Sequence, residues 1–162
     1  MPEGVAIFID GSNFYHGLRR EIGCKELDFS KLAKKLAGGR KLASINYYNA
    51  PLDQNANIEK YKKQRQFFEK LRKIPHFNLV LVRLQKRLVN GKPMYFIKGD
   101  DIHLATDLIV LAYKNAYDTA VLVSGDGDFV PAIKAVQEIG KKIENCHFRS
   151  SSSWHLRQVC DK

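Results

Sequence analysis

The sequence has few cysteines and no long apolar run, and both absences limit what the protein can be. Its three cysteines, Cys24, Cys146 and Cys160, are odd in number and far apart, so they form neither a disulfide framework nor a CxxC metal pair. No apolar run approaches the roughly 20 residues that span a bilayer, and the N-terminus lacks the basic-then-apolar layout of a secretory signal. We therefore expect a protein of the reducing cytoplasm with no membrane partner.

Four common catalytic patterns are also missing. The 5 histidines have no spacing typical of metal ligands, and no glycine-rich loop is followed by Lys and Ser or Thr to hold a nucleotide phosphate. Ser12 and Ser124 have no evident histidine partner, so serine hydrolysis is not expected. A phosphatase with an aspartyl nucleophile would have a second aspartate two residues after Asp10, where Ser12 stands instead. Any chemistry must therefore come from other groups.

Positive charge is what the chain has in excess. It contains 27 Lys and Arg residues against 17 Asp and Glu, for a net charge of +10. Such a surplus favours a polyanion partner, because each phosphate that a Lys or Arg neutralises releases condensed counterions. Nucleic acid is therefore the expected partner. The candidate contacts are the cations of one basic helix and one basic hairpin: Lys62, Lys63, Arg65, Lys70, Lys86, Arg87 and Lys92.

Short apolar segments alternate with helical patterns along the whole chain. Strands are predicted over residues 5–9, 41–48, 77–84, 120–123 and 142–146, and helices over 14–22, 31–36, 57–73, 102–116 and 129–139. Ser12 or Asn13 is the predicted cap of the first helix, and Ser30 that of the second. Residues 85–97 predict a hairpin that turns at Asn90-Gly91. This alternation predicts one domain over residues 1–162, an α/β fold of three layers (α/β/α) with a mainly parallel central sheet and an inserted β-hairpin.

Aspartates stand at the ends of predicted strands. Asp10 follows the first strand, and Asp126 and Asp128 follow a later one. Since the carboxyl ends of parallel strands form one edge of the sheet, these side chains are expected to meet in one pocket. Asp101 precedes the apolar helix and is expected to join them, with Asp107 about a turn and a half further on. Carboxylates crowded in this way need a counter-cation, and Mg²⁺ or Mn²⁺ suits oxygen ligands.

Each of these acids also has a structural alternative. Asp10 could be only a turn former and Asp101 only a helix cap. Asp126 and Asp128 could stabilise a glycine-containing loop. Asp100 is either an additional ligand or a neighbour that faces solvent. From the residues alone, these alternatives stay open.

Three segments of the chain resemble one family. They are Phe8-Ile-Asp-Gly-Ser-Asn13, then Lys98-Gly-Asp-Asp-Ile102 leading into Leu104-Ala-Thr-Asp-Leu108, and Tyr117-Asp-Thr-Ala-Val-Leu-Val-Ser-Gly-Asp-Gly-Asp-Phe-Val-Pro131 followed by Gly140-Lys141. In this order they resemble the NYN domain family, a PIN-like metal-dependent ribonuclease fold, and particularly its bacterial LabA-like (DUF88) branch. The resemblance runs over nearly the whole chain, and the third segment is the most specific.

The resemblance implies an acidic pocket that binds Mg²⁺ or Mn²⁺ in a parallel sheet flanked by helices, with nuclease activity on RNA. Carried over residue by residue, it implies metal ligands at Asp10, Asp101, Asp126 and Asp128. Asn13 resembles the family's pocket asparagine. We group the remaining polar positions of these segments as supporting residues: Ser12, Lys98, Asp107 and Ser124.

The hypothesis from the sequence is thus a Mg²⁺- or Mn²⁺-dependent ribonuclease, expected to be an endonuclease, in which Asn13 positions a water or the phosphate. A non-catalytic RNA-binding or regulatory adaptor with the same fold is the alternative, and a phosphatase acting on small phosphoesters is a third. One metal or two, DNA besides RNA, and a homodimer besides a monomer stay open, because nothing in the sequence distinguishes them.

Overall fold

The computed structural model describes residues 3–23 and 26–162 of the chain as an α/β fold. Its strands are β1 (Gly4–Asp10), β2 (Lys41–Asn49), β3 (Phe77–Leu81), β4 (Arg83–Val89), β5 (Lys92–Lys98), β6 (Thr119–Val123) and β7 (Lys142–Cys146). Its α-helices are α1 (Gly11–Gly17), α2 (Phe29–Ala37), α3 (Ile58–Arg72), α4 (Asp100–Tyr113), α5 (Val130–Glu138) and α6 (Trp154–Val159). Short helical turns follow α1 (Leu18–Ile22), precede α5 (Gly127–Phe129) and precede α6 (Arg149–Ser151).

Five strands form one parallel sheet in the order β3-β2-β1-β6-β7, and β4 pairs with β5 in a separate antiparallel hairpin. Strands β1, β2 and β3 follow one another from the centre of the sheet to one edge. The chain then crosses back, and β6 and β7 follow one another from the other side of β1 to the opposite edge. The strand order therefore reverses between β1 and β6. Open α/β sheets hold their ligands at such a switch point, outside the carboxyl ends of the strands. The predicted sheet with its inserted hairpin is confirmed.

Residues of the central strand β1 alternate between two cores, one on each face of the sheet. Phe8 packs in the same core as Leu108 of α4. Ile7 points to the other face, where it shares a core with Phe29 of α2 and Phe68 of α3. All five side chains are buried. Because both faces of the strand are covered, its sequence is continuously apolar, and its carboxyl end is held firmly in place.

Two helices begin earlier than predicted, because aspartates cap them. The carboxylate of Asp10, rather than Ser12 or Asn13, accepts a backbone N–H of the first turn of α1. Asp28 does the same for α2, where Ser30 was the predicted cap and instead lies inside the helix. Aspartate and serine are about equally good caps, so a sequence that offers both does not specify where the helix begins.

The hairpin turns at Asn90-Gly91 as predicted, with both residues at positive φ, 50° and 73°. The third strand is shorter than the predicted 77–84 and ends at Leu81. The reason is its pairing: Leu81 is the register partner of Asn49, the last residue of β2, so the sheet offers no further partner. Leu84 pairs within the hairpin instead.

In the part of the chain that the structure describes, no helix has the length and apolar character needed to cross a bilayer. Cys146 and Cys160 are free thiols, and Cys24 lies outside the described residues. Burial raises the pKa of the Cys160 thiol to about 11, which makes it a poor nucleophile.

Candidate active site

Asp10 stands at the carboxyl end of β1, at the point where the strand order reverses, and its side chain is 6% exposed. One carboxylate oxygen, Oδ1, accepts the backbone N–H of Asn13 at 3.2 Å. The other, Oδ2, accepts the hydroxyl of Ser124 at 3.2 Å. Both oxygens are therefore held in fixed directions, one by α1, which follows β1, and the other by the loop that follows β6.

The loop after β6 is joined to this carboxylate by a chain of hydrogen bonds. The Ser124 hydroxyl accepts the backbone N–H of Asp126 at 3.1 Å. The side-chain oxygen of Asn13 accepts the N–H of Gly125 at 3.3 Å. Asp126 in turn accepts the N–H of Asp128 at 2.9 Å and caps the following helical turn. Ser124 and Asn13 thus fix the position of Asp126 relative to the end of β1.

A third acidic segment comes from the start of α4. Gly99, at φ 89°, lets the chain turn from the hairpin into this helix, so that Asp100 and Asp101 form its first turn. Asp101 is therefore inside the helix and is not its cap. Lys98 is exposed at the end of β5, directly before this turn.

These segments surround a cavity of about 540 Å³ at the carboxyl edge of the sheet. Of the predicted site residues, Asp10, Ser12, Asn13 and Asp101 line it, as does Asp100. Asp126 and Asp128 lie beside the cavity but are not part of its lining. The rest of the lining consists of residues that the sequence analysis missed: His16, Gly17, Arg20, Ser150 and Ser151.

The sequence contained a weak signal for two of these additional lining residues. His16 and Arg20 are four residues apart, a spacing that places both on one face of the helix that begins after Asp10. The turn at Ser150 could not have been foreseen, because its position depends on a long-range contact in which its backbone N–H donates to Glu21. The lining of the cavity therefore combines carboxylates with the guanidinium of Arg20.

The acids strongly influence each other's ionisation. Burial raises the pKa of Asp10 to about 6, and the charges of Asp100 and Asp126 add to this increase. The pKa of Asp101, which is exposed, is also raised to about 6, by partial burial and then by its acidic neighbours, beginning with Asp100. Carboxylates whose ionisation is opposed in this way are electrostatically unfavourable unless a cation neutralises them.

The donor chemistry of the site suits a hard divalent cation. Mg²⁺ takes one or two protein carboxylates and keeps several of its waters, so it does not need a complete protein cage. Among the described residues, no three His, Cys, Asp or Glu side chains lie close enough together to form a ready-made metal site. The carboxylates that could hold a hydrated ion are those that converge here: Asp10, Asp101, Asp126 and Asp128.

Asp107, predicted as a supporting residue, does not line the cavity. It lies on α4, and its Oδ2 accepts the hydroxyl of Tyr48 at 2.8 Å. Tyr48 is buried near the carboxyl end of β2. This bond fastens α4 to the sheet and so fixes the helix whose first turn carries Asp100 and Asp101.

A family model described as the NYN domain matches residues 4–162, essentially the whole chain. The chain belongs to the NYN domain family. A crystal structure of a protein of unknown function from Vibrio parahaemolyticus is also similar, with 26% sequence identity and a TM-score of 0.77 over 99% of this chain and 90% of that one. No curated protein matched the chain.

Membership of the NYN family indicates the kind of fold to which this site belongs. Its members have a PIN-like nuclease fold and are generally nucleases. The match concerns the family as a whole, so placement in the LabA-like branch stays a prediction. The acidic cavity lies at the switch point of the sheet of this NYN domain.

The predicted nucleic-acid contacts lie on two separate elements around this centre. Lys62, Lys63, Arg65 and Lys70 are exposed on α3, and Lys86, Arg87 and Lys92 are exposed on the hairpin. Helix α3 begins at the carboxyl edge of the sheet and ends at the opposite edge, because it connects β2 to the parallel strand β3. Lys70, in its last turn, is therefore the farthest of these along the helix from the cavity's edge.

The burial of Asp10 predicts a gain in stability when its charge is removed. In the absence of divalent cations, Asp10→Asn should raise the free energy of unfolding at pH 7 by about 1–3 kcal/mol, since each pKa unit corresponds to about 1.4 kcal/mol. The pKa of this carboxyl is higher in the folded protein, about 6, than its ordinary value of 3.8. Its contribution to stability is thus fully present below pH 3.8 and is lost as the pH rises through 6.

Urea denaturation in EDTA at pH 7 and at pH 4 measures this effect. The difference between Asp10→Asn and the parent chain should be large at pH 7 and small at pH 4, where the carboxyl is mostly protonated. Asp28→Asn, which changes an exposed cap of α2 to another good cap, serves as the control and should show little difference at either pH. A variant at Asp10 that is less stable than the parent at pH 7 would contradict the argument.

Proposed function

We propose that this NYN domain is a Mg²⁺- or Mn²⁺-dependent ribonuclease whose active site is the acidic cavity. The observation that carries the proposal is the convergence of carboxylates from three separate segments at the switch point of the sheet: Asp10 after β1, Asp101 at the start of α4, and Asp126 after β6. Burial and mutual repulsion raise the pKa of Asp10 to about 6, which makes the arrangement unfavourable for stability. Groups perturbed in this way in a cleft are typical of functional sites.

The roles of the carboxylates follow from their positions. Asp10, Asp101, Asp126 and Asp128 are the residues that would hold the metal, and Ser124 keeps Asp10 and Asp126 in register through its two hydrogen bonds. A bound Mg²⁺ or Mn²⁺ would activate a water and stabilise the charge of the leaving oxygen. Asn13, whose side chain is held by Gly125, presents a fixed polar group at the cavity wall.

Arg20 is suited to the phosphate of the substrate. It lines the same cavity as Asp10 and Asp101, and a guanidinium binds phosphate oxygens through paired hydrogen bonds. In a phosphodiester bound there, Arg20 would pair with the negative oxygens. Water would attack the phosphorus in line with the leaving ribose oxygen, whose bond to phosphorus breaks as the new bond forms.

Cleavage of end-labelled RNA by the purified chain tests this function. With Mn²⁺ or Mg²⁺ present, we expect shortened products, and with EDTA we expect none, because the proposed reaction needs the metal to activate water and to stabilise the leaving oxygen. Restoring Mn²⁺ to the EDTA-treated protein should restore cleavage. Internal products that appear before terminal nucleotides would indicate an endonuclease.

Two other outcomes correspond to the alternative functions. Salt-sensitive RNA binding without cleavage under any metal would favour a non-catalytic adaptor. Hydrolysis of a small chromogenic phosphoester with the RNA left intact would favour a phosphatase. Cleavage that persists unchanged in EDTA would contradict the proposed metal dependence.

A further inference from the structure

The β4–β5 hairpin extends from the rim of the cavity. It starts at Arg83, just after the carboxyl end of β3, and it ends at Lys98, which pairs with Arg83. Gly99 and then Asp100, which lines the cavity, follow directly. Each strand has seven residues, so the hairpin reaches about 20 Å from this base. The base of the hairpin is therefore next to the segment that carries Asp100.

The two faces of the hairpin are different. On the inner face Tyr95 and Ile97 are half-buried, and the Tyr95 hydroxyl donates to Asp53 at 3.1 Å, which holds the hairpin against the loop after β2. The outer face, defined by the alternating residues of the two strands, carries the half-buried Gln85 and the exposed residues Arg83, Arg87, Val89, Lys92, Met94, Phe96 and Lys98.

An exposed aromatic ring stands in the middle of these cations. Phe96 is 37% exposed, and the guanidinium of Arg87 lies 6.0 Å from the centroid of its ring. Residues 83–98 contain no Asp or Glu, so nothing on the hairpin itself neutralises this charge. An aromatic platform beside a line of Lys and Arg is the combination with which proteins bind single-stranded nucleic acid.

We propose that the outer face of the hairpin binds single-stranded RNA and guides it into the acidic cavity. One unpaired base stacks on Phe96, and the flanking phosphates contact Arg87 and Lys98. A paired base cannot present its face to Phe96, so the surface selects single strands over duplexes. This inference rests on the proposed ribonuclease function and names its substrate class.

Fluorescence anisotropy of a labelled single-stranded RNA, measured in EDTA across a series of salt concentrations, separates the two kinds of contact. Phe96→Ala and Phe96→Leu should each raise the Kd by about 5- to 150-fold with an unchanged salt slope, because stacking involves no counterion release. Phe96→Tyr should keep the parent Kd. Arg87→Gln should instead lower the slope of log K against log salt by about 0.7, the value for one phosphate contact on a single strand.

The matched control is the double variant Lys34→Gln/Lys35→Gln. These lysines are exposed in the last turn of α2, which precedes β2 and therefore lies at the edge of the sheet opposite the cavity. The double variant removes two positive charges but should leave both the Kd for RNA and the salt slope close to the parent values. A loss as large as that of Arg87→Gln would show that net charge, rather than the hairpin face, determines binding.

The outcomes distinguish this inference from the proposed function. Hairpin variants that bind as the parent does, in a protein that still cleaves RNA, would overturn the hairpin assignment and leave the nuclease intact. Hairpin variants with weakened RNA binding, in a protein whose parent cleaves no RNA, would support the hairpin assignment and overturn the nuclease function. Duplex RNA bound as tightly as single-stranded RNA would overturn the hairpin assignment. A Phe96→Ala variant that binds RNA as the parent does but sediments differently would also overturn it, because the face would then be a contact between protein molecules.

Discussion

Asp10→Asn is expected to lower metal-dependent RNA cleavage by about 100- to 1,000-fold. The reason is that Asp10 is the buried carboxylate at the centre of the site, where it lines the cavity and is bonded to Asn13 and Ser124. A metal-held charge contributes several kcal/mol to the transition state, and each 1.4 kcal/mol is a factor of ten in rate. Asparagine retains an oxygen for the Asn13 N–H but loses the negative charge.

Initial rates of RNA cleavage at saturating Mn²⁺, measured with the same protein preparation as the denaturation curves, test this expectation. Because Asp10→Asn should be more stable than the parent in EDTA, a loss of activity would not reflect misfolding. Glu138→Gln, which removes an exposed carboxylate at the end of α5, is the matched control and should cleave at the parent rate. Cleavage by Asp10→Asn within twofold of the parent would mean that the cavity is not the catalytic centre.

Gly125→Ala is expected to destabilise the protein by about 3 kcal/mol and to displace one wall of the cavity. A Cβ atom added at Gly125 would stand 1.7 Å from the carbonyl oxygen of Ser151. That oxygen belongs to the backbone of a helical turn, so it cannot rotate away as a side chain could. The turn that carries Ser150 and Ser151 would have to move, and overpacking of this kind typically costs 1–3 kcal/mol or more.

Urea denaturation and RNA cleavage together measure the two effects of Gly125→Ala. Gly4→Ala is the control, because its added Cβ would meet the nearest atom, an oxygen of Asp118, at 3.5 Å, an ordinary contact distance. The control should keep both stability and activity close to those of the parent. A Gly125→Ala protein as stable as the parent would show that the turn at Ser151 is not packed against this loop as described.

Much of the fold could be predicted because its signals are local. The apolar run of β1, the positive-φ turn at Asn90-Gly91 and the helical pattern of α3 each depend on residues that are neighbours in sequence. The two misplaced helix starts also come from local competition. Asp10 and Asp28 displaced the predicted caps because the sequence offered two good cap residues within a few positions.

The site was partly predictable for a related reason. Strand ends are visible in the sequence, and parallel strands place their carboxyl ends at one edge, so Asp10 and Asp101 were expected at one pocket and both line it. What the pattern could not show is which other residues complete the lining of the cavity. The wall formed by Arg20, His16 and Ser151 arises from packing between segments more than 100 residues apart in the chain.

The sequence by itself determined the family, the alternation of strands and helices, and the acids at the strand ends, because each depends on residue type and short-range spacing. Only the tertiary structure decided that Asp126 lies beside the cavity, that Asp107 anchors α4 through Tyr48, and that Phe96 is the exposed aromatic of the hairpin. The physical reason is that burial and exposure are set by long-range packing, and neighbouring residues in a sequence do not specify which face of an element that packing covers.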